Sequence, residues 1–246
     1  MTPTPEDGRF PSTSWTLIAR IKSGDEREAA RALDEICAQY HYPLYCYLRR
    51  RGCDHHDAQD VLHDFLAKLL RQQALERLDE SRGRLRGYLA LAIGRHLQRW
   101  QKNRDKGSSS NEFAVSLLDF AAMEERYLSE SFSHGETPDR IFERKWATEM
   151  LHHVVGKLER LYQSKGKSTV FAALRPILES GGSLRGEDLA GLSSQTGISE
   201  PAVRTAMSRL LGEFREALRD EVRTTVERSD EVPDEIAYLM GLFDSE

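Results

Sequence analysis

Apolar residues in this chain recur three or four positions apart from one segment to the next, and nowhere is there a clear period-two alternation of β-branched and aromatic residues. That spacing lines one face of an α-helix and would scatter across both faces of a strand. The chain is therefore expected to be all-α. Its 246 residues leave room for two small domains or one large one, and a hydrophobic content of 39% is enough for compact cores.

The strongest local bias lies at 82–106, RGRLRGYLALAIGRHLQRWQKNRDK, where eight Lys and Arg face a single acid, Asp105, in a chain whose formal net charge is −5. Within it Leu85, Tyr88, Leu89, Ala92, Ile93, Leu97 and Trp100 form a seam at helical spacing. A basic helix with an apolar seam, set in an acidic chain, is a candidate polyanion-binding element.

Upstream, 1–14 carries three prolines and reads as a flexible arm, and Trp15, Leu17, Ile18 and Ile21 begin a short helix. A helix over 25–39 presents Ala29, Ala32, Leu33, Ile36 and Cys37. The segment 40–51 then gathers Tyr40, Tyr42, Tyr45 and Tyr47 around Pro43, which either kinks this helix or starts a new one. Four tyrosines suit either a base-stacking surface or core packing. After Gly52, Asp54 is placed to cap a helix over 56–71 that buries Ala58, Val61, Leu62, Phe65, Leu66, Leu69 and Leu70 and turns Asp57, Asp60, Asp64 and Lys68 outward.

The basic helix must stop where Gly107 and three serines begin. Residues 107–138 carry six acids and one Arg and read as an acidic flexible linker, with LLDFAAMEERYL as a weak helix inside it. A second helical set follows. Ile141, Phe142, Trp146, Met150, Leu151, Val154, Val155, Leu158 and Leu161 pattern one helix, and Phe171, Leu174 and Ile177 the next. A short helix over 187–195, a tight turn at Thr196-Gly197-Ile198, an N-cap at Ser199 and Pro201 in the first turn of a long helix then spell a helix-turn-helix. Val203, Met207, Leu210, Phe214 and Leu218 share its buried face, leaving Arg204, Thr205, Ser208, Arg209 and Gly212 outward, as a helix entering a major groove requires. The same segment is equally compatible with an ordinary helical hairpin. From Arg223 to Glu246 seven acids face two arginines, and 232–243 reads as a last amphipathic helix.

Several stretches resemble a known family. DAQDVLHDFLAKLL (57–70) resembles region 2.2 of extracytoplasmic-function sigma factors, GRLRGYLALAIGRHLQRW (83–100) their regions 2.3 and 2.4, and GISEPAVRTAMSRL (197–210) their region 4.2. FPSTSWTLI (10–18) and YHYPLYCYLRRRG (40–52) look like stretches of a subgroup common in planctomycetes and related bacteria. The resemblance implies an all-α protein of two helical domains: an arm at 1–14, a region 2-like domain at 15–106, the linker at 107–138, a region 4-like domain at 139–222 and an acidic extension at 223–246. It implies a promoter-specificity subunit without catalysis or cofactor of its own. Its partners would be core RNA polymerase, through the β′ clamp helices and the β flap, and promoter DNA.

On that basis Asp57, Gln59, Asp60, His63, Asp64 and Lys68 would meet the polymerase clamp. Arg84, Arg86, Arg95, Arg99, Lys102 and Arg104 would hold phosphates at the melted −10 element, with Tyr88, His96 or Trp100 near an exposed base; Trp100 equally suits the domain core. Arg204, Thr205, Ser208 and Arg209 would read the −35 element. The chain departs from the family's usual Gln and Glu at His63 and Asp64, and from its usual Asn at His96. The linker would either thread a groove of polymerase built for RNA or act as a solvated tether. An anti-sigma factor or a regulatory kinase are further implied partners, and the acidic tail is a candidate to fold back on a basic face.

Two other readings remain open. One is a stand-alone helix-turn-helix regulator whose N-terminal half dimerises or senses a signal. The other is a zinc site among Cys37, His41, Cys46, Cys53, His55, His56 and His63, although CxxC and HExxH pairs are absent from the sequence. Walker, nucleophile-elbow and dinucleotide fingerprints are absent too. Three cysteines without CxxC spacing suit free thiols, no apolar run approaches the roughly 18 residues a membrane helix needs, and the N-terminus MTPTPEDGRF lacks the basic start of a leader, so the expected location is cytoplasmic.

Overall fold

The computed structural model describes residues 20–21, 25–70, 84–104, 119–132, 135–226 and 228–243. These residues are helices, turns and bends, and among them there is no strand. The expected arm at 1–14, most of the short helix at 15–21, the stretch at 10–18 and the connection at 71–83 lie outside the described residues. None of the described helices is long and apolar enough to cross a membrane. The chain divides into two compact units, one of residues 1–148 together with 223–246, the other of residues 149–222.

In the first unit, α1 (Glu26–Arg50) starts at Asp25, whose carboxylate accepts from the backbone N–H groups of Arg27 and Glu28. It runs unbroken through Pro43. The proline has no N–H to offer the preceding turn, a local cost of about 3 kcal/mol. Full burial of Tyr40, Tyr42, Leu44, Tyr45, Leu48 and Ile36 outweighs it, since each large side chain removed from water contributes about 1.5–3 kcal/mol. All four tyrosines are core residues, 0–4% exposed, which removes the base-stacking alternative for them. Gly52, at φ +89°, ends the element in a backbone conformation that suits glycine.

Asp54 then accepts from the Asp57 N–H at 2.8 Å and starts α2 (His55–Leu70), which buries Ala58, Val61, Leu62, Phe65, Leu66 and Leu69. Helix α3 (Leu85–Arg104) is the core of the basic stretch, and Leu85, Leu89, Ile93 and Leu97 are its buried seam. α1 packs against both α2 and α3. α1 and α3 approach closely at Gly94, where an added Cβ would fall 2.8 Å from the Tyr47 hydroxyl.

Helix α4 (Phe120–Ser129) lies inside the segment read as linker, and its position is set by contacts a tether would not make. It packs on α1. Glu124 pairs with Arg49 and accepts from the Tyr45 hydroxyl at 2.5 Å, Met123 is buried, and Arg126 sits 3.8 Å from the Tyr42 ring centroid. Burial pushes the Glu124 carboxyl up, but hydrogen bonds from Arg49 and Tyr45 outweigh it and hold the group below its ordinary value. Only 107–118 of the expected linker lie outside the described residues, with 133–134.

Helix α5 (Pro138–Ser164) contributes residues to both units. Ile141, Phe142, Trp146 and Ala147 are buried in the first, where Trp146 stacks on Tyr40 with ring centroids 6.2 Å apart. The sequence placed a domain boundary at 138, whereas the units part at 148/149, and the tail from Arg223 belongs with the first unit. The tail forms a 3₁₀ turn (Ser229–Glu231) and α9 (Val232–Gly241), burying Val226, Val232, Glu235, Leu239 and Leu242.

The second unit joins the end of α5 to α6 (Ser168–Glu179), α7 (Leu189–Thr196) and α8 (Glu200–Arg223). Its core is Val155, Leu158, Tyr162, Phe171, Leu174, Ile177, Leu178, Val203, Met207 and Leu210. Tyr162 fills the position expected for Leu161, which is 39% exposed, and Phe214 and Leu218 are only partly buried.

The cysteines are free thiols. Burial raises Cys37 to about 11 and Cys46 to about 12. His41 Nδ1 lies 2.6 Å from the Cys37 carbonyl oxygen, and among the described residues no group of three or more His, Cys, Asp and Glu is arranged to hold a metal.

Candidate nucleic-acid interface

The seam of α3 fixes which of its polar residues reach solvent. With Leu89, Ile93 and Leu97 inward, Arg95, Arg99 and Lys102 fall on the opposite side, all exposed and spaced by four and three, so they form one row of cations along the helix. Gln98, Gln101 and Asn103 flank them in solvent. Tyr88 and Trp100 are half-buried; by helical spacing Trp100 continues the seam past Leu97, and Tyr88 falls on the side of Arg95 and Arg99. The Arg104 side chain lies outside the described residues.

Two residues expected on this face are elsewhere. His96 is 4% exposed, with its ring 5.8 Å from Phe65 and its Nε2 3.2 Å from Asp64 Oδ2, although the angle falls short of an aligned hydrogen bond. Burial lowers it to about 4, with Lys68 and Arg99 acting in the same sense and Asp64 against, so it is a neutral core residue at neutral pH.

Arg86 is 3% exposed and belongs to the seam side of the helix, three residues before Leu89 and seven before Ile93. Its guanidinium lies 4.8 Å from the Trp146 ring centroid and 5.5 Å from that of Tyr238. It pairs with Glu235, and its Nε faces Glu143 Oε1 at 3.7 Å. Arg84 is exposed at the first turn but directs its Nη2 to Glu235 Oε2 at 2.6 Å. As placed, neither is a free phosphate contact.

The α2 residues expected at a polymerase surface divide in the same way. Asp60 and Lys68 are exposed, while Asp57, Gln59, His63 and Asp64 are partly buried. Asp64 joins Lys68 at 2.6 Å one turn on, and also faces His96, so it tethers α2 to α3.

In the second unit, the chain leaves α7 through Gly197 at φ +71°, a left-handed conformation that costs a residue with a Cβ about 1 kcal/mol or more. Ser193 Oγ donates to the Ile198 carbonyl and Thr196 Oγ1 to the Leu192 carbonyl, both at 2.6 Å, which fixes the turn. Val203 N–H then bonds the Ser199 carbonyl at 2.9 Å as α8 begins. Burial of Val203, Met207 and Leu210 leaves Arg204, Thr205, Ser208 and Arg209 exposed in its first half. Arg204 lies 3.8 Å from Glu200, an exposed pair that contributes little, and the Thr205 hydroxyl donates to Pro201 at 3.0 Å while keeping its lone pairs for an incoming donor.

The residues enclosing Arg86, namely Glu235, Tyr238, Glu143 and Trp146, were not singled out from the sequence as a site. A signal was present: Glu235 sits between Val232 and Leu239 at spacings of three and four, an acid inside an apolar stripe, just as Arg86 is a base inside one. Comparison with known proteins matches the chain to no family model, no curated protein and no solved structure.

Proposed function

We propose that this chain is a promoter-specificity subunit of the extracytoplasmic-function sigma type, binding core RNA polymerase and promoter DNA without chemistry of its own. The outward row on α8 carries the reading: Arg204, Thr205, Ser208 and Arg209 all point to solvent from the first half of a helix that follows a tight, glycine-dependent turn. Arginine and hydroxyl side chains in that position suit base edges and phosphates of a major groove. The cation row Arg95, Arg99 and Lys102 suits a single strand's phosphates, with half-buried Tyr88 on the same side of the helix for an unpaired base. Of the six α2 residues expected at polymerase, Asp60 and Lys68 are the exposed ones.

The test is run-off transcription from candidate promoters with core enzyme, in parallel with gel shifts with and without core. A polymerase-dependent transcript is expected, and the combined R204A and R209A substitutions should cost about 1–3 kcal/mol per lost base contact, a 5- to 150-fold loss of promoter affinity for each. Tight, specific duplex binding that needs no polymerase, with no association with core enzyme, overturns the reading in favour of a stand-alone regulator.

A further inference from the structure

The start of α3 carries two cations that the exposed row does not include, and both are committed to one residue of the tail. Glu235 is 0% exposed. Its Oε1 takes the Nη1 of Arg86, and its Oε2 lies 2.6 Å from the Nη2 of Arg84. Two guanidinium groups converging on the two oxygens of one anion is also the arrangement that holds the two non-bridging oxygens of a phosphodiester. One wall of the Arg86 enclosure, Trp146 and Glu143, comes from α5, and the other, Glu235 and Tyr238, comes from α9. Lifting α9 would take away Glu235 and one aromatic wall while leaving Arg86 on Trp146, with the Glu143 carboxylate still 3.7 Å from its Nε.

The pairing is poorly suited to serve as an anchor alone. Glu235 occupies a position between Val232 and Leu239 where an apolar side chain would pack α9 without desolvating a charge. A buried ion pair is commonly no more stabilising than apolar residues of the same volume. Its hydrogen bonding is also incomplete, since Glu235 Oε2 and Arg86 Nε lack a well-aligned partner. Apart from Glu235, α9 is held by buried Val232, Leu239 and Leu242 and by the Tyr238 hydroxyl, which donates to Glu143, while Tyr238 and Met240 remain 42% and 50% exposed.

We propose that Arg84 and Arg86 form a phosphate seat for single-stranded DNA, that Glu235 occupies this seat in cis, and that α9 is a detachable cover whose release extends the cation row of α3 by two. The proposal rests on the reading of α3 as a nucleic-acid face. The cover holds in the absence of DNA and polymerase, and whatever displaces α9 converts a three-cation row into a five-cation one.

The test needs no polymerase. A fluorescein-labelled oligothymidylate is titrated with the full chain, with E235Q, and with a variant ending after Arg228, across a salt series read by anisotropy, the fold of each variant being checked by circular dichroism and thermal melting. E235Q and the shortened chain should bind more tightly. Their plots of log affinity against log salt should be steeper by about 1.4, since each phosphate held on a single strand adds about 0.7. Adding R84A to E235Q should take back about half of that gain. D234N removes the same charge from an exposed site one residue away and should leave the slope where it was.

A folded E235Q with an unchanged slope overturns the proposal, and so does a D234N effect equal to that of E235Q, because general charge would then account for it. If the shortened chain fails to fold, E235Q alone decides. Run-off transcription by the parent chain alongside unchanged slopes refutes the cover and leaves the sigma reading standing. A parent slope unaffected by R95A, R99A and K102A together refutes the nucleic-acid face of α3 on which the cover rests.

Discussion

Substituting Glu124 with Gln tests whether α4 belongs to the first unit or merely lies in a tether. The carboxylate pairs with Arg49 and accepts from Tyr45, and the two charged side chains are 20% and 16% exposed. Exposed pairs contribute about 0.2–1 kcal/mol, and breaking a fully buried one costs about 3–5 kcal/mol. At this intermediate exposure, E124Q should cost about 2 kcal/mol. The glutamine keeps an acceptor oxygen but leaves the Arg49 charge uncompensated.

The cost should fall on the docking of α4, whose other anchors are buried Met123, Arg126 at 3.8 Å from the Tyr42 ring centroid, and the rings of Phe120 and Tyr127, 6.5 and 6.2 Å from that of Tyr45. Hydrogen exchange followed by mass spectrometry should therefore show the 120–129 amides exchanging about 30-fold faster, which is 2 kcal/mol of easier local opening. Glu125, exposed on the same helix, is the control, and E125Q should change exchange less than threefold. Acid should reproduce the loss. A carboxyl held below its ordinary value of 4.5 stabilises fully above that pH and loses its contribution as pH falls through its lower folded value. Equal exchange in E124Q and E125Q would refute the assignment of α4 to this unit.

Two further outcomes follow from close packing in the first unit. G94A drives a Cβ against the Tyr47 hydroxyl and should lower stability in urea by about 1–3 kcal/mol, whereas Y47F removes the obstructing oxygen, so the double variant should recover about 1 kcal/mol or more relative to additivity; strict additivity would place the strain elsewhere. His96 is about 4 in the folded chain against 6.5 when exposed, so its contribution is complete above pH 6.5 and lost as pH falls toward 4, on the order of 3 kcal/mol in all. In H96Q that part of the pH dependence should disappear from urea melts, and an unchanged profile would assign it to other groups.

How much of this was legible in the sequence depended on how far each signal reaches along the chain. Stripes such as Leu85, Leu89, Ile93 and Leu97, the Asp54 cap and the Gly52 stop are read within one or two turns, and the structure follows them. The outward row on α8 followed from the same local rule once Val203, Met207 and Leu210 were taken as buried. The burial of Arg86 was not read because its formal charge outweighed its position on the apolar side, and its partner Glu235 lies 149 residues away. α4 was underestimated because composition describes solvation. Its hold comes from Arg49, 75 residues upstream, and a local window shows only its acidic balance. The expected boundary at 138 differs from the division at 148/149 because a proline starts a helix well, as Pro138 does, without saying which core that helix will enter.

The division of the chain also sets an order of events during synthesis. The first unit is discontinuous, since residues 149–222 form the second and intervene before the tail returns. A ribosome adds about 5–20 residues per second, so the 149 positions between Arg86 and Glu235 correspond to roughly 7–30 s of elongation. For that interval Arg86 must wait without its carboxylate. The second unit has all of its residues before the first does, and α9, made after the second unit, closes the earlier structure.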